Sequence, residues 1–146
     1  MNRHRLRDTL AMALLAPALG LVSFSAAWAA NTRAAAAAPV TVLRSSVCAA
    51  IMDREPFPAS AADRKDFKAE VGLLYFWNDL AVEGSTAAVR HRWSVDGVRS
   101  LEVRLQARAP RTRTWSSARI RAGSWKVEVL SESGALLKVE RFKVVP

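Results

Sequence analysis

Residues 89–106 restrict the possible fold more than any other part of the chain. Val89, His91, Trp93 and Val95 alternate with Arg90, Arg92 and Ser94. After Asp96-Gly97 the alternation resumes, with Leu101, Val103 and Leu105 set against Glu102, Arg104 and Gln106. A period of two sends successive side chains to opposite faces of a strand, so each run has one apolar and one polar face. Asp-Gly between two such runs suits a two-residue hairpin turn, which needs positive φ at its central positions. The segment is predicted to form a half-buried antiparallel pair whose exposed face presents Arg90, Arg92 and Arg104.

Five further segments read as strands. Residues 41–51 are rich in valine and short apolar side chains, and residues 71–80 carry Leu73, Leu74, Tyr75, Phe76 and Trp77. Residues 112–120, 124–130 and 136–145 follow, with Ala122-Gly123 and Ser133-Gly134 as turns. About seven strands in this length predict an all-β fold, a single immunoglobulin-like antiparallel β-sandwich. A flattened barrel is the alternative, because strand count does not decide closure. Residues 60–70 are the one helical candidate, of a turn or two. Ser60 before Asp63 resembles a helix start, and Phe67 is the inward contact.

Ahead of these strands stands a different kind of segment. Arg3, Arg5 and Arg7 precede an apolar run from Leu10 to Phe24, which closes on Ala27-Trp28-Ala29. A basic head, an apolar middle and a small-x-small exit make a signal peptide, predicted to cover residues 1–29. The arginines never stand side by side, which argues against a twin-arginine signal. An uncleaved membrane anchor is the alternative. A spanning helix needs about 20 predominantly apolar residues, and Pro17 and Gly20 interrupt this run. Residues 30–39, with Ala34 to Ala38 unbroken, look like an alanine-rich tether, and residues 40–146 form the folded domain. The expected location is outside the cytoplasm, in the periplasm, with attachment to the membrane only through an uncleaved N-terminal segment.

Cleavage would remove three arginines and one aspartate, leaving 19 basic against 12 acidic side chains, about +7. Nine arginines fall between Thr86 and Arg121, opposed there only by Asp96 and Glu102. That imbalance favours anionic partners. Nucleic acid does not suit an exported protein. An anionic glycan, a lipid head group or an acidic protein face does, while a solvated arginine face that keeps the domain soluble is the plain alternative.

Cys48 is the sole cysteine, so no intrachain disulfide can form. Its apolar neighbours Val47, Ala49, Ala50 and Ile51 suggest a buried, inert thiol. Of the four tryptophans beyond residue 29, Trp93 and Trp125 are in phase with apolar neighbours and belong to the core. Trp115 instead shares its strand face with Arg113, Ser117 and Arg119. It is a surface cluster beside arginine, an exposed binding platform, or a core residue brought inward by a bulge.

His91 is the one histidine of the domain, and Ser116, Ser117 and Asp96 could in principle complete a triad with it. A triad needs base and nucleophile in hydrogen-bond reach and an oxyanion hole beside them. Nothing resembles a nucleophile elbow, and strand phase turns His91 inward with Trp93. One histidine and one distant cysteine fall short of a zinc site. No catalytic residue, metal or cofactor is expected. Asp53, Arg54 and Glu55 before Pro56 read as a structural corner with local ion pairing.

Several motifs stand together in order: Asp53-Arg54-Glu55-Pro56, His91-Arg92-Trp93 with Asp96-Gly97, Arg113-Thr114-Trp115-Ser116-Ser117, Gly123-Ser124-Trp125-Lys126-Val127-Glu128-Val129, then Ser133-Gly134 and Phe142-Lys143-Val144. Over roughly residues 40–146 the chain resembles the bacterial Domain of Unknown Function 2914 family. The resemblance implies an exported β-sandwich that also occurs attached to other modules, and it supplies no activity. Relatives often carry a second cysteine in the aromatic strand, where this chain has Tyr75-Phe76, so the resemblance gives Cys48 no disulfide role here.

The resulting expectation is a non-enzymatic binding or adaptor module of the bacterial envelope. Its contact residues are expected among Arg90, Arg92, Arg104, Arg113, Trp115, Ser116 and Ser117. A structural or assembly domain that pairs through an exposed sheet edge is the alternative, and a hydrolase comes third. Oligomeric state is left open.

Overall fold

The computed structural model describes residues 39–57 and 65–146, all of which lie within one compact unit. The signal segment expected at residues 1–29, nearly all of the tether, and residues 60–64 of the helical candidate lie outside the described residues. Ten strands follow in order: β1 Val40–Cys48, β2 Ala50–Met52, β3 Glu55–Phe57, β4 Asp66–Lys68, β5 Leu73–Val82, β6 Thr86–Val95, β7 Val98–Arg108, β8 Arg111–Arg119, β9 Gly123–Ser131 and β10 Leu136–Val145. Seven are long and correspond to the seven read from the sequence. The other three are three residues each.

The strands form a three-stranded sheet ordered β1-β5-β8, a five-stranded sheet ordered β4-β10-β9-β6-β7, and the small hairpin β2-β3. The two larger sheets keep separate hydrogen-bonding ladders, so the fold is the predicted sandwich and not a closed barrel. All pairings are antiparallel except β4 with β10, which is parallel. The helical candidate gives way here. Asp66–Lys68 is strand, and Ala69–Val71 is a single 3-10 turn. The reason is tertiary: pairing with Lys143, Val144 and Val145 places Phe67 against Phe142, ring centroids 5.6 Å apart. An isolated helix of a turn or two has no comparable stabilisation.

Between the sheets, Phe76 from one layer meets Trp93 from the other. Trp93 also makes edge-on contacts with Trp125 and Phe142 at 6.3 Å each. Val89, Val127 and Val129 fill the same layer with no exposed surface. Edge-to-face pairs of this kind add about 0.5–1.5 kcal/mol each beyond area burial. The alternation read from β6 holds, with Val89, His91, Trp93 and Val95 all buried. On β7 it holds only in part: Leu101 stays exposed and Val103 and Leu105 half-buried, because β7 is the last strand of its sheet.

The β6–β7 turn is as expected, with Asp96 and Gly97 both at positive φ (52° and 80°). The turn is also docked. The Asp96 carboxylate accepts from the Ser124 N–H at 2.9 Å and from Arg121 at 3.0 Å, and the Asp96 N–H donates to the Ser124 carbonyl. This approach requires glycine at position 123, where φ is 150° and an added Cβ would lie 2.8 Å from the Asp96 carboxylate and 2.9 Å from Val95. Gly123→Ala is therefore expected to cost about 1–3 kcal/mol in denaturant unfolding. A loss under about 0.5 kcal/mol, the scale of an ordinary surface change, would show that the turn yields freely.

Candidate functional site

The expected contact residues divide between two opposite faces and the interior. Arg90, Arg92 and Arg104 lie on the outer face of the five-stranded sheet, as alternation requires, and each is paired with a carboxylate. Glu102, directly across from Arg92, bonds Arg92 Nε at 2.8 Å and Arg90 at 3.1 Å, and Arg104 pairs with Glu132. The hydrogen bond from Arg92 chiefly holds Glu102 below the usual carboxylate range, against desolvation, with the charges of both arginines adding to it. Only about a third of the Arg90 and Arg92 side chains is exposed, and Arg99 also pairs with Glu102, so this face keeps a positive excess in which every one of these arginines has a carboxylate partner.

Ser116 is a correction. It is buried on the inner face of β8, not exposed beside Trp115. Its Oγ lies 2.8 Å from His91 Nδ1 and accepts from Trp93 Nε1 at 2.9 Å, while His91 Nε2 faces the Asn78 amide at 3.2 Å. Burial pushes His91 down to about 3, so the ring is neutral. Base and hydroxyl are thus within reach of each other, yet both are enclosed by core side chains. Asp96 is at the docked turn, and Ser117 is on the other side of β8, so the residues do not assemble as a triad. Among the described residues, no three His, Cys, Asp or Glu side chains gather where they could hold a metal ion.

The outer face of the three-stranded sheet is different. Register places Arg44 beside Asp79, Ser46 beside Trp77 and Cys48 beside Tyr75, with Arg113, Trp115 and Ser117 following on β8. The β2-β3 hairpin folds over part of this face and buries Ser46, Cys48 and Trp77. Its turn residues Asp53 and Arg54 both have positive φ (50° and 63°) without being glycine, a conformation that costs energy and persists only where the surroundings enforce it. Here the Trp77 indole N–H donates to the Arg54 carbonyl at 2.8 Å and pins the turn to the sheet.

Pinned there, Arg54 lines an open pocket of about 340 Å³ together with Arg111 and Arg113. Two carboxylates hold the arginines from behind. Asp79, with no exposed side-chain surface, accepts from Arg111 Nε at 2.7 Å and from a second Arg111 nitrogen, and from Arg44 at 3.2 Å. Glu55 takes Arg113 at 3.0 Å and Arg44 at 3.4 Å. The Arg44 guanidinium also lies over Trp77, 4.9 Å from the ring centroid, a cation–π contact. What covers Asp79 is the arginines themselves, so its burial is shallow. The Arg111 hydrogen bond outweighs desolvation and, with Arg44, holds Asp79 below the usual range, while Arg111 is raised in return. Because the folded value is depressed, the stabilisation is complete above about pH 4 and fades as pH falls further.

Three guanidiniums thus share two carboxylates, and among the described residues Arg54, the fourth, has no ion-pair partner. The cluster keeps a net charge of about +2 at a concave surface, with Arg111 and Arg113 held by carboxylates and Arg54 placed there by its pinned backbone. Such an arrangement can hold an anion through charge-assisted, forked hydrogen bonds. In the sequence, residues 53–56 read as a corner with local pairing. No sequence pattern joins Arg54, Arg111, Arg44 and Asp79. One signal was present: a lone aspartate inside an apolar strand, Trp77-Asn78-Asp79-Leu80, needs a cation brought from elsewhere in the fold.

Residues 86–144 match the family described as Protein of unknown function (DUF2914). The resemblance read from the motifs is borne out there, over a shorter span than the motifs suggested. The DUF2914 match includes β6 through β9, most of β10, and the pocket residues Arg111 and Arg113. Arg44, Arg54, Glu55 and Asp79 precede it. No curated protein matches the chain. Among solved structures, the β-glucosidase from Kluyveromyces marxianus is similar in two crystal structures, a selenomethionine-labelled form and a complex with glucose. Each is 13% identical with a TM-score of 0.41, over 51% of this chain. The chain spans only 13% and 12% of those enzymes' chains, and the likeness assigns no activity to it. Among the described residues, no helix is long and apolar enough to cross a membrane.

Proposed function

We propose that this protein is an exported, non-enzymatic binding or adaptor module of the bacterial envelope, delivered to the periplasm by its N-terminal signal segment. Its contact is the arginine pocket on the three-stranded sheet. The observation that carries this reading is the convergence of Arg54, Arg111 and Arg113 on one concavity, with buried Asp79 and half-buried Glu55 fixing two of them. Positive charge that is pre-oriented loses little conformational freedom on binding, which is how a small site gains affinity. The hairpin arginines Arg90, Arg92 and Arg104 are each paired with Glu102 or Glu132 and serve solubility.

Calorimetric titration of the protein with anionic glycans and anionic lipid vesicles tests this reading. Binding that weakens with added salt is expected. Arg54→Ser and Arg113→Ser should each lower the affinity about tenfold, roughly 1.4 kcal/mol, and Arg90→Ser should leave it unchanged. Absence of binding, or binding indifferent to both pocket variants, would overturn the proposal.

One observation supports the assembly alternative. β7 ends the five-stranded sheet and leaves Val98 and Leu101 exposed along that edge. Unpaired edges are ready to pair with another strand. Light scattering that shows a dimer abolished by Leu101→Lys would favour it, and a strict monomer would count against it.

A further inference from the structure

We infer that the arginine pocket is one end of a saccharide subsite, in which the charged substituent of an acidic sugar enters between Arg54, Arg111 and Arg113 while the sugar ring lies on Trp115. The inference rests on the anion-binding reading above and names its ligand class.

Trp115 is the starting point. The other three tryptophans of the domain are buried, and each spends its indole N–H: Trp77 on the Arg54 carbonyl, Trp93 on Ser116, Trp125 on the Arg121 carbonyl. Trp115 is only half-buried, and among the described residues its N–H has no partner. It stands two residues from Arg113 on the same face of β8, about 7 Å along the strand. One pyranose carrying an exocyclic acid group bridges such a span.

The face continues in the same character. Ser117 follows Trp115 and faces Tyr75 across the β5–β8 ladder, and both are partly exposed. An aromatic platform flanked by hydroxyls suits a ring that has apolar C–H faces and hydroxyl edges, because the indole accepts the apolar face and still has a polar group to offer. A free inorganic anion would use the arginines and gain nothing from the platform. A lipid head group is the competing source of negative charge, and exposed Met52 beside the pinned turn would be its apolar contact. Trp115 with Ser117 and Tyr75 favours the sugar.

The test titrates the full chain with oligogalacturonate, a sulfated oligosaccharide, a neutral galactose oligomer, inorganic phosphate, and vesicles containing an anionic lipid. The acidic oligosaccharides should bind about tenfold or more tighter than phosphate, and the neutral oligomer should not bind. Trp115→Ala should cost the acidic oligosaccharides about tenfold while leaving phosphate within about twofold. The indole N–H resonance of Trp115 in the unaltered protein should shift on titration, which keeps the test valid should the variant fail to fold. Phosphate binding as well as the oligosaccharides, with Trp115→Ala silent, overturns the saccharide inference and leaves the anion pocket standing. Vesicle binding without oligosaccharide binding overturns it in favour of lipid. No binding of any anion overturns both readings.

Discussion

Lowering the pH from 7 to 5 is expected to weaken the fold by about 2 kcal/mol through a single side chain. Burial pushes His91 from its ordinary value of 6.5 to about 3, so the folded protein keeps the ring neutral across this range. The unfolded chain takes up a proton below about 6.5. Between the two values the unfolded state binds more protons, so stability falls with pH toward about 3 and levels off below it. The groups around the ring carry no charge of their own: Ser116 and Asn78 by hydrogen bond, Phe76 by its ring at 4.9 Å. Asp79, Asp96, Glu102 and Glu140 are all held below the usual carboxylate range, so their contributions are intact at pH 5. Denaturant unfolding at pH 7, 6 and 5 measures the slope. His91→Gln should lower stability at pH 7 and flatten the slope. An equal slope in both proteins would show that another group takes up the proton.

Trp93→Ala should have the largest effect of any single core truncation, about 4–5 kcal/mol. Trp93 has no exposed surface and touches Phe76, Trp125 and Phe142 edge-on, so its removal opens a cavity where both sheets meet. It also removes the donor to Ser116, whose hydroxyl bonds His91, which in turn bonds the Asn78 amide. A domain of this size is stable by roughly 5–15 kcal/mol, so the variant should unfold at much lower urea concentration. Trp93→Phe should lose less, because it keeps one aromatic ring and its contacts and forfeits the second ring and the indole N–H. A loss below about 2 kcal/mol for the alanine variant would mean that the two layers collapse to fill the space.

Local features were legible in the sequence and long-range ones were not. The β6–β7 hairpin could be read because its turn and both its faces are encoded within eighteen consecutive residues. Trp115 shares a face with Arg113 and Ser117, which alternation alone decides. The same alternation turns Ser116 inward, against the expectation that grouped it with them. The pocket was illegible for a different reason. Asp79 is 35 residues from Arg44 and 32 from Arg111, and only the order β1-β5-β8 makes them neighbours. Arg54 joins them because a short hairpin lies over the sheet, and no periodic pattern announces that. Residues 66–68 likewise became strand through a parallel partnership with the far end of the chain. Sheet order is a global property, and a single sequence records it weakly.

The hairpin that carries Arg54 also lies over Cys48. The thiol has no exposed surface, backbone groups of Phe57 and Ala50 hydrogen-bond it, and burial raises it to about 11. At neutral pH almost none of it is thiolate, the reactive form, so an alkylating reagent added to the folded protein meets an unreactive and inaccessible sulfur. Chemical labelling must then wait for the hairpin to lift. With a single cysteine in the chain, the labelling rate becomes a clock for that local opening, read without any engineered probe. Ligand in the arginine pocket, by holding Arg54 down, should slow that clock.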